Sequence, residues 1–310
     1  MKPLLLICGP TASHKSETAL RLAERWGGEV LSIDSVAVYR GMDIGSAKPD
    51  RFERQRVPHH LVDIADPDDT NFSVAAFQQA ADAVLQDLGR RNVQPILVGG
   101  SGLYCDAVLE DMGYALPADR ELRSRLEGEY DADPKGFFDK MARDDELSGQ
   151  KLHLNDKKRV VRAREVFLLS GTPFSAFNQT YMAAQRHDRY PAVRVGLTMP
   201  REKLYAAIDR RVDRMMAQGL LDEVRALRTR GYDRSLPAMQ AIGYAQLLDH
   251  LAGEASLEDA VENIKRATRQ FAKRQLTWFR RDERIQWFDC EHYEEAYPRI
   301  ERYVKEKVFV

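Results

Sequence analysis

Residues 9–16 read GPTASHKS, between the apolar run Leu4–Cys8 and a helical pattern spanning Glu17–Arg25. A turn of glycine and small hydroxyl residues that opens a helix can cradle phosphate. Its backbone N–H groups point inward, and the helix N-terminus adds partial positive charge. In this Walker A context Gly9, Pro10, Thr11, Ala12, Ser13 and His14 supply the backbone, Lys15 brings a full charge, and the Ser16 hydroxyl can reach a Mg²⁺ ion. The motif asks for glycine where this chain has His14, because glycine lets backbone approach phosphate without a Cβ. A histidine there strains the loop, weakens the anion site, or adds a donor of its own. The loop alone implies a nucleotide or diphosphate binder, and the bland alternative is a helix N-terminus with no ligand.

Two further segments carry polar groups at the ends of apolar runs. Asp34 opens the stretch DSVAVYRGMDIGSAKP after Val30–Ile33, and Ser101 sits in GGSGLY after Ile96–Val98. Open parallel sheets bind ligands beyond the carboxyl ends of their strands, so the loop, Asp34 and Ser101 are expected to line one pocket. A carboxylate there can act as a general base or hold a metal through water, whereas the plain alternative is a cap for the next element. GGSGLY alone reads as a tight turn. Three such strand ends in one place are more specific than any one.

The elements that must position these groups are legible from periodicity. The runs Leu4–Cys8, Val30–Ile33, Leu61–Ile64, Ile96–Val98, Val193–Leu197 and Ile285–Phe288 are continuous rather than alternating, as buried parallel strands are. Helical patterns at Glu17–Arg25 and Val74–Arg90 separate them. The expected fold class is therefore α/β, a P-loop NTPase-like three-layer core with a parallel sheet. Residues 117–190 are charged and helical in pattern without a convincing strand, so they read as a helical insertion domain. Residues 1–116 and 191–310 then form the core with its C-terminal helices. Those helices run from Arg201 to about Arg281, with breaks expected at Gly231–Pro237 and near Gly253.

The chain has 310 residues, 44% hydrophobic and 31% charged, an ordinary balance for a globular protein. No apolar stretch approaches the roughly 20 residues that cross a bilayer, and the N-terminal run is too short for a secretory signal. A cytoplasmic location without a membrane partner is expected. Cys8, Cys105 and Cys290 lack the spacing of a zinc site or a disulfide framework and read as small buried residues. His59 and His60 have no ligand partner at metal spacing and read as structural. The net charge of −1 conceals a basic segment, residues 265–284, suited to a polyanion. Within it Arg266, Arg269, Lys273 and Arg280 share one helical face, while Phe271, Trp278 and Phe279 offer surface for core packing or base stacking. Arg159 and Arg162 lie three apart in NDKKRVVRA, where Asn155 and Asp156 read as a helix cap.

The motifs GPTAS-x-KS, DSVAVYRGMDIGSAKP, VPHHLVDI, ILVGGSGLY, ND-x-x-RVVRA-x-EV, QAIGY and RQFAKRQLTWFR occur in this order along essentially the whole chain. In this the chain resembles bacterial tRNA dimethylallyltransferases (IPP transferases). The resemblance implies transfer of a dimethylallyl group from dimethylallyl diphosphate to N6 of the adenosine 3′ of the anticodon in tRNA, with Mg²⁺ as cofactor. It implies catalytic roles for Asp34, Ser101 and Lys15 and a diphosphate site at residues 9–16. It implies tRNA contacts from Asp34, Ser35, Val36, Ala37, Ser101, Arg123, Lys158, Arg159, Val160, Val161, Arg162, Gln240, Lys273 and Arg274. Only His14 among the departures bears on activity. Ser16 and Ser101 keep the hydroxyl of the family's threonines, and Ala37 stands where many members carry glutamine. No obligate protein partner is evident, and a monomer is expected. The rival readings are a prenyltransferase of free adenine nucleotides, a P-loop kinase, and a tRNA-binding relic disabled by His14.

Overall fold

The computed structural model describes residues 2–70, 72–110, 119–176 and 188–308. The chain folds into two compact units, Met1–Leu109 with Arg189–Val310, and Glu110–Asp188.

In the larger unit six strands pair in parallel in the order β3-β2-β4-β1-β5-β6. They are β1 (Leu4–Cys8), β2 (Gly28–Ile33), β3 (His59–His60), β4 (Gln94–Gly99), β5 (Ala192–Thr198) and β6 (Gln286–Asp289). Every residue of β1, β2 and β4 is buried, which is why these strands show no polar–apolar alternation, with Glu29, Ser32 and Gln94 their buried polar residues. Side chains leave a strand on alternate faces. Leu5 and Ile7 pack with α1 (Lys15–Trp26) and the C-terminal helix α13 (Tyr293–Val308), whereas Leu4 and Leu6 pack with α3 (Val74–Arg90) and α4 (Gly102–Leu109). The three-layer expectation holds.

Strand β4 lies between β1 and β2, with Gly99 in register with both Cys8 and Ile33. That topology sets the ends of three strands side by side, so the residues that follow them, Gly9, Asp34 and Gly100, must be neighbours. Gly9 has φ 138°, and a Cβ there would lie 2.2 Å from the Leu197 carbonyl oxygen, so no other residue fits.

Two local expectations fail. Leu61–Ile64 is not a strand. The sheet edge is the short β3 before it, and Leu61 and Asp63 take positive φ. Asp63 is gripped by Lys48 (2.6 Å) and Arg54 (2.8 Å), while the Ile64 and Ala65 amides donate to the Val38 carbonyl, which draws this segment off the sheet. The C-terminal helices also break once more than expected, at Gly219 (φ 99°), between α9 (Arg201–Ala217) and α10 (Leu220–Thr229). A 3₁₀ turn (Ala238–Gln240), α11 (Tyr244–Leu251) and the long α12 (Leu257–Phe279) follow.

The smaller unit holds α5 (Arg120–Ala132), α6 (Pro134–Asp144), α7 (Glu146–Lys151) and α8 (Lys157–Ser170). Residues 117–118 and 177–187 of the expected insertion lie outside the described residues. The aspartates Asp119, Asp133, Asp145 and Asp156 cap these four helices, each accepting a first-turn amide. Leu126, Tyr130, Phe137, Met141, Val160 and Val161 form the unit's core. Glu165 is fully buried and accepts from Arg123 (2.5 Å), Arg162 (2.7 Å) and the Asp119 amide (3.2 Å). Both arginines are about one-third exposed, which dilutes the strength of a buried pair. Glu165→Ala is therefore expected to cost about 1–3 kcal/mol, below the range for a wholly buried partner, as read from urea unfolding.

Candidate functional site

At the ends of β1, β4 and β2 lies a cavity of about 350 Å³, walled by Thr11, Lys15, Ser16, Asp34, Gly100, Arg211 and Gln275 with others. A second cavity of about 310 Å³ shares Thr11, Asp34, Arg211 and Phe271, and its other walls include the apolar Val36, Val212, Met215, Leu220, Ile242 and Ile264. A charged chamber thus meets an apolar one at Asp34 and Arg211.

Of residues 9–16, Thr11, Lys15 and Ser16 line the charged chamber. The Pro10 carbonyl accepts from Lys15 Nζ (2.5 Å) and Ser13 Oγ (2.8 Å), which closes the loop on itself. Burial pushes the Lys15 ammonium down to about 7, and the nearby Arg211 guanidinium adds to the shift. Burial likewise lowers Arg211. Both keep partial solvent access through the cavity, yet protein surrounds their charged ends. Among the described residues neither forms an ion pair, and Asp34 is the carboxylate whose field acts on both. Two largely enclosed cations without a paired carboxylate among the described residues suit an anion.

Asp34 is aimed by its own turn. Its Oδ1 accepts from the Val36 (2.7 Å) and Ala37 (3.0 Å) amides, which leaves Oδ2 without a hydrogen-bond partner among the described residues. Ser101 lines neither cavity. Its Oγ accepts from the Ser35 amide (3.2 Å) and lies 3.4 Å from Ser35 Oγ, so it braces the turn that carries Asp34. Ser35 and Val36 line the apolar chamber, and the buried Ala37 the charged one.

His14 neither enters the loop's concave side nor lines a cavity. It sits at φ 63°, a left-handed conformation that costs a non-glycine residue roughly 1–2 kcal/mol. Its ring turns outward, donates from Nδ1 to Glu17 (3.0 Å), and stacks on Tyr293 with centroids 4.4 Å apart and planes 9° from parallel. Aromatic stacking contributes about 0.5–1.5 kcal/mol, which offsets most of the strain. Of the three alternatives left by the sequence, a donor to the anion is excluded by this direction.

Sequence reasoning missed Arg211 and Gln275, although each left a signal. Leu204, Ile208 and Met215 are buried on one face of α9, and Arg211 occupies that same stripe. On α12, Gln275 continues the stripe of Ile264, Thr268 and Phe271 that lines the chambers. A charged or amide group in an apolar stripe needs a partner or a ligand. Gln275 has partners: its Oε1 accepts from the Thr11 amide (2.9 Å), and its Nε2 donates to the Gly100 carbonyl (3.0 Å). A Cβ at Gly100 would lie 2.0 Å from that Nε2, so any larger residue displaces the Gln275 amide.

The other expected contact residues separate. Gln240 and Arg274 line the apolar chamber, with Arg274 over the Phe271 ring at 5.7 Å. Lys273 does not. Two residues from both Phe271 and Gln275, it lies on the opposite side of α12 with Arg266, Arg269 and Arg280. Arg269 is bound to Asp209 (2.5 Å), and none of these four residues lines either chamber. Trp278 packs against Gly102 and donates to Asp106 (3.1 Å), a core role. His59 lines the charged chamber, with Nδ1 donating to the Val57 carbonyl (2.8 Å) and burial lowering its pKa, while His60 binds Glu29 (2.7 Å). In the smaller unit Val160 and Val161 are buried in the core and offer no side chain to RNA. Arg123 and Arg162 engage Glu165, and Lys158 and Arg159 are exposed, Arg159 pairing with Asp156 (3.2 Å).

A phosphate-type loop, a carboxylate and two cations thus surround one cavity. Residues 37–282 match the family model for IPP transferase. The chain belongs to that family. It is 47% identical to the tRNA dimethylallyltransferase of Geobacter metallireducens, over 92% of each chain. It is 46% identical to that of Symbiobacterium thermophilum, over 98% of this chain and 96% of the relative. Among solved structures it is similar to the tRNA isopentenylpyrophosphate transferase of Bacillus halodurans, with TM-score 0.74, 39% identity and coverage of 99% and 97%. It is also similar to a eukaryotic dimethylallyltransferase acting on tRNA, with TM-score 0.81, 26% identity and coverage of 98% of this chain and 78% of the other. The chain is thus a prenyl-transferring enzyme, and no helix among the described residues is long and apolar enough to cross a membrane.

Replacing Gln275 by leucine leaves two backbone groups, the Thr11 N–H and the Gly100 C=O, without their partner at about 1–3 kcal/mol each. Gln275→Leu is expected to lose about 2 kcal/mol or more in chemical unfolding and to weaken diphosphate binding in calorimetry.

Proposed function

We propose that the chain transfers a dimethylallyl group from dimethylallyl diphosphate to N6 of the adenosine adjacent to the anticodon in tRNA, releasing diphosphate. The observation that carries this reading is the meeting of Lys15, Arg211 and Asp34 in one cavity beside an apolar chamber. The names of its relatives favour a tRNA acceptor over a kinase reaction.

The exocyclic amine of adenine is a poor nucleophile, because its lone pair is delocalised into the ring. The allylic C1–O bond of the donor can break readily once negative charge on the leaving diphosphate is neutralised. Lys15, Arg211 and the amides of the 9–16 loop supply that neutralisation, preorganised before the donor arrives. Asp34 Oδ2 accepts a hydrogen bond from N6 and takes its proton as the new C–N bond forms. The five-carbon group suits the apolar walls of Val36, Met215, Leu220 and Ile242.

No group of three His, Cys, Asp or Glu that could hold a metal occurs among the described residues. Mg²⁺ is usually held by one or two protein oxygens together with phosphates and water, and the Ser16 hydroxyl in the loop, near Asp34, suits that mode. When bound, the ion would add charge neutralisation on the diphosphate. The acceptor base must leave its stack at a cost of a few kcal/mol. Arg274, beside Phe271 at the apolar chamber, and Gln240 are suited to receiving it.

Incubation of the purified protein with tRNA, Mg²⁺ and dimethylallyl diphosphate, followed by mass spectrometry of nucleosides, tests the reading. Prenylated adenosine supports it, and unmodified tRNA with phosphate transfer from ATP replaces it with a kinase. Asp34→Asn is expected to lower kcat by about 100- to 10,000-fold with little change in tRNA affinity. The Lys15 shift sets a pH dependence. The ammonium is charged below about 7 and neutral above it, so kcat/KM for the donor falls as pH rises past that value, by up to about tenfold per pH unit. In Lys15→Arg the guanidinium stays charged, and this limb should disappear from the profile.

A further inference from the structure

The phosphate loop of this chain is held from outside by the C-terminal helix. Tyr293, the first residue of α13, touches residue 14 by two independent routes. Its ring stacks on the His14 imidazole at 4.4 Å and 9°. Its hydroxyl donates to Thr18 Oγ1 (3.0 Å), whose own proton goes to the His14 carbonyl (2.8 Å). Side chain and backbone of one loop residue are therefore both referred to the same ring.

That ring is itself firmly seated. Tyr293 is 7% exposed and packs in the core cluster under β1 and β5. The Arg21 guanidinium lies 5.6 Å from its centroid and 3.7 Å from that of Tyr297, and it also pairs with Glu294 (3.1 Å). Glu17 holds the far side of the imidazole. His14 lines neither cavity and so makes no contact with a ligand there, but it directly precedes Lys15 and sets the φ at which the loop enters α1.

We infer that His14 is a positioning residue: its stacking on Tyr293 replaces the conformational freedom of the glycine usual at this position and ties the geometry of the diphosphate loop to α13. Donor affinity then depends on α13, which contributes no cavity-lining residue. The inference rests on the reading of residues 9–16 as a diphosphate site.

The test is a double-mutant cycle on the full-length protein, with magnesium pyrophosphate binding followed by calorimetry. Tyr293→Leu is expected to weaken binding about fivefold in the wild-type background and less than about twofold in a His14→Gly background, because glycine holds the left-handed turn without the ring. His14→Ala keeps the strain and loses the stack, so it should bind about threefold or more weakly than His14→Gly. The donor KM should follow these changes, while KM for tRNA stays constant. Equal effects of Tyr293→Leu in both backgrounds overturn the inference. If that variant fails to fold, the wild type against His14→Ala decides alone, since both carry the strain and only the first has the stack, and equal affinities of the two overturn it. Absence of pyrophosphate binding by the wild-type protein sinks the diphosphate-site reading and this inference with it. Normal binding without coupling sinks only the inference.

Discussion

Holding two cationic side chains around one cavity, without a paired carboxylate among the described residues, is the constraint on which the candidate site depends. Lys15 and Arg211 would each be more stable in water or beside an acid. Hydrogen bonds fix the loop that carries Lys15: the Pro10 carbonyl accepts from Lys15, and Gln275 spans the Thr11 amide and the Gly100 carbonyl. An anionic ligand satisfies both charges at once.

The same economy governs Asp34. One oxygen is committed to the Val36 and Ala37 amides, and Ser101 secures the adjacent Ser35. The other oxygen has no hydrogen-bond partner among the described residues, so the carboxylate is oriented by its own turn with one oxygen open. The Ser101 hydroxyl braces that turn by accepting from the Ser35 amide.

His14 illustrates how a motif can tolerate a departure. The loop still takes the left-handed conformation that glycine would adopt freely, and the strain is offset by an aromatic partner that comes from the far end of the chain. Read in isolation, GPTASHKS looks damaged. With Tyr293 beside it, the loop is braced.

Much of this architecture was legible along the chain. Continuous apolar runs mark β1, β2 and β4 because buried parallel strands have no solvent face, and the helical periods of α1 and α3 are the direct record of their buried stripes. Lys15, Asp34 and the glycines of GGSG follow strands, so their convergence could be argued from topology alone. What only the tertiary structure decided is which face each residue presents and what comes from far away. Arg211 and Gln275 reach the loop from helices some 200 and 260 residues downstream along the chain, and Tyr293 from farther still. Lys273 faces away from the chambers and Val160 lies inside a helical core, although both belong to motifs that read as RNA-binding. A motif records residue types in order, while helix phase and long-range packing determine which of them share a cavity.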